Sequence, residues 1–392
     1  MDAPLVRDGA IAVVDGIILA VGGARYVIER YPGAPVHDFG DAIILPGLVN
    51  AHTHLELSHC VAGESIDGEF IDWAGKMRQQ RGDPAQAVRL GIGQCLRFGI
   101  TSVGDISQQM HLTRPLIKDL PIRCVSFGEV LGLAGRRSRF DELLPMALDR
   151  SCQTDRLRIG LQPHAPFTVD LDGYEQGLQL AKEQQMPLAT HLAETADERA
   201  FLESHSGPFR RLWERLGAWS DEVKTFTGSP IEMANEIGML EYPTLLAHVN
   251  YCDDRELVML ARGRASVVYC PRTHRYFRHP PHRWREMLAA GINVAVGTDS
   301  CASSPDLNLV DDLRLLRKIA PEVPAQTLWE MATLRAAMAL RLQTEVGSLT
   351  PGKRADFVVF EVEPTDDPLE QILQSAREPK SVWLDAEPAR SH

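Results

Sequence analysis

The sequence lacks several features that mark other classes of protein. No apolar stretch is long enough to span a bilayer, and the first residues do not combine a basic segment with an apolar one, as a signal peptide does. No two cysteines have the Cys-x-x-Cys spacing that zinc deaminases with cysteine ligands require. Basic residues are outnumbered, and the formal net charge is −12 over 392 residues. We therefore expect neither a membrane protein nor a zinc site built on cysteines.

Charge and cysteine content also restrict the partners and the compartment. An acidic surface attracts neither a nucleic-acid backbone nor an anionic membrane, so neither is expected as a partner. The simpler interpretation of the charge is that it supports solubility. The seven cysteines are an odd number and are scattered along the chain, which favours reduced thiols in a cytoplasmic protein.

The clearest positive signal is an apolar run that ends in two histidines. Residues 43–56 read Ile-Ile-Leu-Pro-Gly-Leu-Val-Asn-Ala-His-Thr-His-Leu-Glu. Side chains at i and i+2 of a strand point the same way, so His52 and His54 can direct ring nitrogens at one point beyond the strand end. Two ligands of one metal ion need this geometry. Two unrelated histidines in a polar loop would give the same spacing.

Three later residues repeat this arrangement. His191, His248 and Asp299 each follow a short apolar run and precede polar sequence. Such a series is expected when chemistry gathers at the carboxyl ends of the strands of a β/α barrel. Alternatively, His248 could be a core histidine with satisfied hydrogen bonds, and Asp299 could stabilise a turn with its neighbours.

The rest of the chain predicts an α/β protein. From Pro46 onward, strand patterns alternate with helical ones such as Leu171–Gln185 and Asp253–Arg262, where Asp253 is the expected N-cap. Eight such units predict a closed (β/α)8 TIM-type barrel over residues 46–343. The predicted barrel strands lie near 47–54, 101–106, 122–128, 158–164, 187–191, 244–249, 266–270 and 293–298.

The two ends of the chain read as β structure. Two β-rich runs are divided by Asp15-Gly16, a hairpin signal, and a β pattern returns at Asp356–Phe360. Residues 1–45 and 344–392 are therefore expected to form one small discontinuous β-sandwich domain. Residues Trp383–Pro388, near the end of the chain, contain no glycine.

This series resembles the amidohydrolase superfamily, in its branch of mononuclear-metal deaminases and chlorohydrolases. The resemblance extends from the Pro-Gly-Leu-Val-Asn-Ala-His-Thr-His run at Pro46–His54 to Gly347–Asp356, which is similar to the closing signature of the family. Family members usually begin with one more strand than Met1–Pro4 allows. We therefore expect either a small domain with one strand fewer or a start further upstream.

The resemblance implies a metal site. His52, His54, His191 and Asp299 match the metal ligands of the mononuclear branch, and this set of nitrogen and oxygen donors suits Zn²⁺, with Fe²⁺ as an alternative. Binuclear relatives bridge two metals with a modified lysine or a carboxylate on the fourth strand. Residues 158–164 offer neither, so one divalent ion is expected.

The resemblance also implies a mechanism. The ion lowers the pKa of its water toward neutrality, and the resulting hydroxide attacks the substrate. Asp299 would accept the proton of this water, His248 would steady the developing oxyanion, and Glu194 would protonate the ring nitrogen next to the attacked carbon. Glu194 could instead cap the helix that follows it.

Four further residues occupy positions where relatives contact substrate. The pattern His-Leu-Glu-x-Ser at 54–58 resembles aminodeoxyfutalosine deaminases more than adenosylhomocysteine deaminases. Each of the four could equally form a salt bridge or cap in a loop. These candidate substrate contacts are Glu56, Glu129, His164 and Arg272.

The sequence therefore predicts a metal-dependent hydrolase that acts on C–N bonds other than peptide bonds. Its favoured reaction is the deamination of a small heteroaromatic substrate, an adenine-type nucleoside such as aminodeoxyfutalosine. The same site could remove chloride or an alkylamine from a triazine, or hydrolyse an amide. A catalytically silent binding protein is the remaining hypothesis. Because relatives often form dimers, a homodimer is a further expectation.

Overall fold

The computed structural model describes residues 3–66, 68–80 and 82–389, apart from the side chains of Arg78 and Gln79. Met1, Asp2 and residues 390–392, which belong to the predicted small domain, lie outside the described residues. Among the described helices, none combines the length and the apolar character needed to cross a membrane.

The strands form three sheets, of two, eight and four strands. Their bounds are β1 (Gly9–Val14), β2 (Ile17–Gly23), β3 (Ala42–Pro46), β4 (Leu48–Thr53), β5 (Ile100–Ser107), β6 (Arg123–Val130), β7 (Leu157–Pro163), β8 (Leu188–Leu192), β9 (Thr244–His248), β10 (Ser266–Tyr269), β11 (Asn293–Val296), β12 (Phe357–Glu361), β13 (Ser381–Leu384) and β14 (Glu387–Pro388).

Helices follow most strands of the large sheet. Their bounds are α1 (Ala24–Arg30), α2 (Phe70–Gln79), α3 (Pro84–Arg97), α4 (Met110–Ile117), α5 (Ser138–Leu148), α6 (Leu171–Glu183), α7 (Asp197–Ser204), α8 (Gly207–Arg215), α9 (Pro230–Glu236), α10 (Asp254–Arg262), α11 (Pro271–Tyr276), α12 (Trp284–Ala289), α13 (Leu309–Ile319), α14 (Ala325–Met331), α15 (Leu334–Ala339) and α16 (Pro368–Gln374).

The eight-stranded sheet confirms the predicted barrel. Strands β4 to β11 lie in chain order, and each pairs in parallel with the next. Nearly every residue of these strands is buried, because helices cover the outside and side chains fill the inside. A bridge between Thr53 and Asp299 joins the first and last strands. The barrel thus closes at the point where the predicted site lies.

Local sequence determines where the outer helices begin. Asp253 caps α10 as predicted, since its carboxylate accepts hydrogen bonds from the amides of Arg255 and Glu256. Asp83 and Asp170 cap α3 and α6 in the same way. The long segment between β8 and β9 carries α7, α8 and α9. These caps set the starting points of helices that pack around the barrel.

The ends of the chain pair with each other, as the fold prediction required. β12 pairs antiparallel with β3, so residues more than 300 positions apart are adjacent in one sheet. The hairpin of β1 and β2 contacts the same region through the backbone bridge of Ile17 with Arg354. The division into domains at 45/46 and 343/344 stays a prediction.

The closing hairpin forms without glycine. Asp385 and Ala386 connect β13 to β14, with φ values of 51° and 65°. Two-residue hairpin turns of this kind need positive φ at both central positions. The Asp385 carboxylate accepts hydrogen bonds from Arg123 and from Arg156, which hold the turn in place. Arg123 also donates to Asp356 over 2.5 Å, and it is buried at the amino-terminal end of β6.

Candidate active site and metal centre

His52 and His54 lie at the carboxyl end of β4, where the predicted spacing brings them together. Their ring centroids are 5.1 Å apart. The Oδ1 atom of Asp299 lies 3.8 Å from Nε2 of His52 and 3.5 Å from Nε2 of His54. One potential ligand atom from each of these three residues falls within 4.8 Å of the other two. Three of the four predicted metal ligands therefore surround one point.

Closure of the barrel positions Asp299. Its amide donates to the carbonyl of His52 over 3.1 Å, and Thr53 Oγ1 donates to its carbonyl over 2.9 Å. Gly297 permits this approach, because a Cβ at that position would lie 2.8 Å from the His52 carbonyl oxygen. Ser303 donates to the carboxylate at 3.1 Å. The chain thus builds the Asp299 position from contacts between its first and last barrel strands.

His191 and His248 complete a second, overlapping group. They end β8 and β9, and potential ligand atoms of His52, His191 and His248 also lie within 4.8 Å of one another. The His191 ring centroid is 5.0 Å from that of His52 and 5.4 Å from that of His248. All five predicted histidine and aspartate positions therefore meet at one end of the barrel.

The tautomer of His191 follows from its partners. Nδ1 lies 3.2 Å from the carbonyl oxygen of His164, and that oxygen can only accept. Nδ1 therefore carries the hydrogen, and Nε2 keeps its lone pair for a metal. The side-chain Nε2 of Gln162 lies 3.1 Å from the same Nδ1, and exchanging the positions of its amide nitrogen and oxygen gives Nδ1 a second acceptor. Sequence reasoning missed Gln162, because its contact with His191 joins two different strands.

The donor set fits a divalent cation. Both ring nitrogens of His52 are buried, and neither has a hydrogen-bond partner among the described residues. Burial, together with His191, lowers the pKa of His52 and of His54 well below the usual range. Burial and His164 lower the pKa of His191 to about 3. These imidazoles are therefore neutral, which is the form that ligates metals.

Asp299 supplies the anionic ligand of this set. Burial raises its pKa to about 6, against hydrogen bonds from Ser303 and Thr273 that lower it. A cation bound at the carboxylate would lower this pKa further. Neutral imidazoles with one carboxylate match the nitrogen and oxygen donors that Zn²⁺ accepts.

Several residues of the site have a left-handed backbone. Ala193, His248, Val249 and Asp299 have φ values of 51°, 74°, 52° and 55°. This conformation is costly for residues other than glycine, and Val249 is β-branched, which makes it a clear outlier. Strain of this kind persists where the surrounding structure determines the backbone. Here it occurs immediately after β8, β9 and β11, where the chemistry-bearing side chains lie.

Glu194 lies beside the histidine cluster. Its Oε1 atom is 3.6 Å from Nε2 of His248, and the residue is 6% exposed. Burial, Asp299 and Glu198 raise the pKa of Glu194 well above its usual range. A carboxyl group that keeps its proton near neutral pH can act as a general acid. The structure thus places a buried carboxyl group with a raised pKa next to the candidate metal ligands.

Glu56 lies on the rim of the site. It is in a short 3-10 turn after His54 and lines a cleft with His54, Ile106 and Gln109. Its carboxylate accepts hydrogen bonds from the Ser107 hydroxyl at 3.1 Å and the Gln109 amide at 2.8 Å. These bonds hold the carboxylate in position, and its second oxygen makes a longer contact of 3.5 Å with the Gln109 side chain.

Glu129 and His164 form a second pair on the rim. His164 Nε2 lies 3.7 Å from Glu129 Oε1, and the His164 ring centroid is 5.0 Å from that of His191. Aromatic rings continue outward from this pair, with Phe167 5.7 Å from His164 and Phe70 6.3 Å from Phe167. Two carboxylates and an aromatic wall therefore border the metal candidates.

Arg272 has its hydrogen bonds within the protein. Its guanidinium donates to Asp312 over 2.9 Å and to Asp306 over 2.7 Å. This is the salt-bridged arrangement that the sequence left open as an alternative. A role for Arg272 in substrate binding stays a prediction.

The comparisons with known proteins agree with this geometry. The model of the amidohydrolase family matches residues 43–388. A 5-methylthioadenosine/S-adenosylhomocysteine deaminase of Nitratidesulfovibrio vulgaris is 30% identical, over 95% of this chain and 84% of its own length. The crystal structure of Helicobacter pylori aminofutalosine deaminase with methylthio-coformycin has a TM-score of 0.86 at 25% identity, and the match covers 98% of this chain and 95% of that one.

A zinc-containing structure is also similar. The adenosine deaminase of Xanthomonas campestris with bound zinc has a TM-score of 0.83 at 25% identity, and the match covers 98% of this chain and 89% of that one. The family match spans most of the barrel and both segments that form the terminal sheet. The chain belongs to the amidohydrolase family, in its deaminase branch, and is a hydrolase that acts on C–N bonds.

Proposed function

We propose that this protein hydrolytically deaminates the adenine ring of a nucleoside. The observation that carries the proposal is the position of Glu194, a buried carboxyl with a raised pKa, 3.6 Å from His248 beside the candidate metal ligands. Deamination of an adenine ring needs a proton donor for the ring nitrogen next to the attacked carbon. The substrate of an amide hydrolase has no such nitrogen. The relatives named as adenine-nucleoside deaminases support the same reaction.

We further propose that His52, His54, His191 and Asp299 hold one divalent ion, with Zn²⁺ favoured over Fe²⁺. Neutral imidazoles and the carboxylate support this set, and so does the zinc in the Xanthomonas campestris structure. When bound, such an ion lowers the pKa of a coordinated water toward neutrality and provides the nucleophile.

The proton transfers belong to residues of the chain. Asp299 accepts a proton from the attacking water, and His248 hydrogen-bonds the oxygen as negative charge develops on it. Glu194 donates its proton to the ring nitrogen adjacent to the attacked carbon. After the new C–O bond has formed, the proton held by Asp299 passes to the amino group, the C–N bond breaks and ammonia leaves. The remaining proton of the new hydroxyl group passes to Glu194, which leaves a carbonyl on the ring and restores the acid. Each step uses a group within the cluster described above.

Residues on the rim would select the substrate. Glu56 and Glu129 are buried carboxylates, which are suited to accept hydrogen bonds from the hydroxyl groups of a sugar. His164 and the aromatic wall beyond it suit a heteroaromatic or aryl group by stacking. These features support a nucleoside with an aromatic substituent, such as aminodeoxyfutalosine. Arg272 would steady the loop behind the site through its two carboxylate partners.

The remaining expectations are proposals of the same kind. We propose a barrel domain over 46–343 and a small β domain built from 1–45 and 344–392, on the pairing of β3 with β12. A cytoplasmic location is supported by the seven cysteines, none of which forms a disulfide within the described residues. A homodimer is proposed by resemblance alone.

Ammonia release tests the proposed reaction. The protein is loaded with one equivalent of Zn²⁺ or Fe²⁺ and assayed against adenine, guanine and cytosine bases and their nucleosides, with aminodeoxyfutalosine included. We expect turnover of an adenine-type nucleoside. Silence across the panel with metal bound, followed by turnover of a chlorinated or alkylamino triazine, would contradict the proposal and assign the alternative leaving group.

A further inference from the structure

Glu198 makes an unusual set of hydrogen bonds immediately behind the proposed acid. Its Oε2 accepts from the amide of Ala193 over 2.9 Å, and its Oε1 accepts from the amides of Glu194 and Thr195 over 2.7 and 3.0 Å. Three consecutive backbone donors thus point at one carboxylate. Glu198 is fully buried, so water cannot replace these contacts.

The loop after β9 binds the backbone carbonyls of residues 193 and 194. The side-chain amide of Asn250 donates to the carbonyl of Glu194 over 3.0 Å. The amide of Tyr251 donates to the carbonyl of Ala193 over 3.2 Å. Residues 193–195 are therefore fixed from both sides, and Ala193 is kept at its left-handed φ of 51°. The orientation of the Glu194 side chain depends on this backbone.

We propose that Glu198, with Asn250, positions Glu194 for proton transfer. This inference rests on the proposed function, in which Glu194 donates a proton to the substrate ring. Among the described residues, the hydrogen-bond partners of the Glu198 carboxylate are backbone amides and not the metal candidates. It acts by fixing the three peptide groups that carry and flank Glu194, so that the carboxyl stays at its position beside His248.

Two other helices of the chain show what an ordinary helix cap looks like. In α9 and α10, Glu232 and Glu256 each accept a hydrogen bond from the amide of the N-cap residue, in a capping box. Glu198 accepts the corresponding bond from the amide of Thr195, three residues before it, and two further bonds from the amides of Ala193 and Glu194. These two extra bonds distinguish Glu198 from the two cap glutamates, because they hold the loop that carries Glu194.

The substitution Glu198→Gln tests this role, because glutamine has the same shape but presents a donor to at least one backbone amide. The matched control is Glu256→Gln, which alters a buried cap glutamate in α10. For E198Q we expect kcat to fall by about 10- to 100-fold, with KM and metal content little changed. For E256Q we expect kcat within about 2-fold of the unaltered protein. Equal kcat values for the two variants would overturn the proposal.

Asn250→Ala provides a second test if E198Q does not fold. It removes the bond to the Glu194 carbonyl and leaves the carboxylate of Glu198 in place. We expect a smaller fall of kcat, by about 3- to 10-fold, with unchanged KM. A folded N250A protein with the kcat of the unaltered protein would count against the proposal.

Hydrogen exchange separates this inference from the proposed function. The amides of residues 193–195 should exchange slowly in the unaltered protein and faster in E198Q, whether or not a substrate is known. If no nucleoside is turned over, the proposed function fails and the exchange result alone decides the role of Glu198 in fixing the loop. Unchanged protection of these amides in E198Q would refute it.

Discussion

At the amino-terminal end of the barrel, a buried arginine is paired with carboxylates, whereas the carboxyl-terminal end gathers neutral imidazoles around one carboxylate. Arg123 lies between the carboxylates of Asp356 and Asp385. His52, by contrast, has two buried ring nitrogens with no hydrogen-bond partner among the described residues. Unsatisfied buried polar atoms cost stability, so a histidine with both ring nitrogens unpaired beside a buried carboxylate indicates a site that binds a ligand.

The residues with a left-handed backbone also differ between the two ends of the barrel. The left-handed residues Asp385 and Ala386 form a partly exposed hairpin turn, where the geometry closes a sheet. The left-handed residues His248 and Asp299 are buried and carry chemical groups. In barrels of this type the carboxyl-terminal face carries function and the opposite face carries stability. The comparison predicts that substitutions at the two ends will affect different measurements.

The largest expected effect is on metal binding and activity at the carboxyl-terminal end. His52→Ala removes a residue shared by both groups of potential ligands. We expect the bound metal, measured by elemental analysis, to fall well below one equivalent. Ammonia release should fall by more than about 10³-fold, because the metal supplies several kcal/mol of the catalysis. A fully active H52A protein with bound metal would remove His52 from the site.

The next effect is on stability at the amino-terminal end. Arg123→Met leaves Asp356 buried without its partner, and breaking a buried ion pair costs about 3–5 kcal/mol of unfolding free energy. Activity per folded molecule should be unchanged. Arg156→Met is the matched control, since it also removes a partner of Asp385 but from a side chain that is 42% exposed. Its expected cost is below about 1 kcal/mol. Equal losses for both variants would contradict the comparison.

A smaller effect is the loss of stability at low pH that His282 causes. Burial lowers the pKa of His282 to about 3, although its Nε2 hydrogen-bonds the carbonyl of His248 over 2.9 Å. The unfolded chain takes up a proton below about pH 6.5 that the folded protein does not bind, so stability falls as the pH decreases. Between pH 7 and pH 5 this residue should cost about 2 kcal/mol.

Urea unfolding of metal-free protein at both pH values tests this expectation. His282→Gln keeps a donor near the His248 carbonyl but has no titratable group. It should lose about 2 kcal/mol less than the unaltered protein between pH 7 and pH 5. The same pH dependence in both proteins would show that His282 is not held neutral.

The smallest effect is at the hairpin turn. Ala386→Gly places the residue best suited to positive φ at a position with φ of 65°. The relief of steric strain outweighs the greater freedom of glycine in the unfolded chain, so we expect a gain of about 0.5–1 kcal/mol. Thermal unfolding measures this gain, and activity should not change. A loss of stability would show that the alanine is unstrained.

The sequence predicted that the candidate site residues would lie close together because they follow a positional rule. Five residues lie at or within three residues of the carboxyl end of a strand, and the carboxyl ends of parallel strands meet at one face of a barrel. They are His52, His54, His191, His248 and Asp299. The eight predicted strands agree with the observed ones to within a few residues at each end. Periodicity and apolar runs carry this information directly, so the barrel could be predicted without knowledge of distant contacts.

What the sequence could not provide depends on contacts between distant segments. The bonds of Gln162 to His191 and of Glu198 to residues 193–195 have no local pattern that distinguishes them from a strand glutamine and a helix cap. The pairing of Arg272 with Asp306 and Asp312 joins α11 to α13 and to the segment before α13. Likewise, the turn at 385–386 forms without the usual glycine because arginines from two barrel segments hold Asp385. These features appear only when the chain is folded.

The most direct test of the central claim is the rate of ammonia release by Glu194→Gln with the same bound metal as the unaltered protein. Glutamine keeps the shape of the side chain but cannot supply the proton, so we expect a fall of about 10²- to 10⁴-fold with full metal occupancy. Glu203→Gln, an exposed glutamate in α7, is the control and should retain full activity. Undiminished ammonia release by the metal-loaded E194Q protein would contradict the assignment of the carboxyl-terminal site as a deaminase centre.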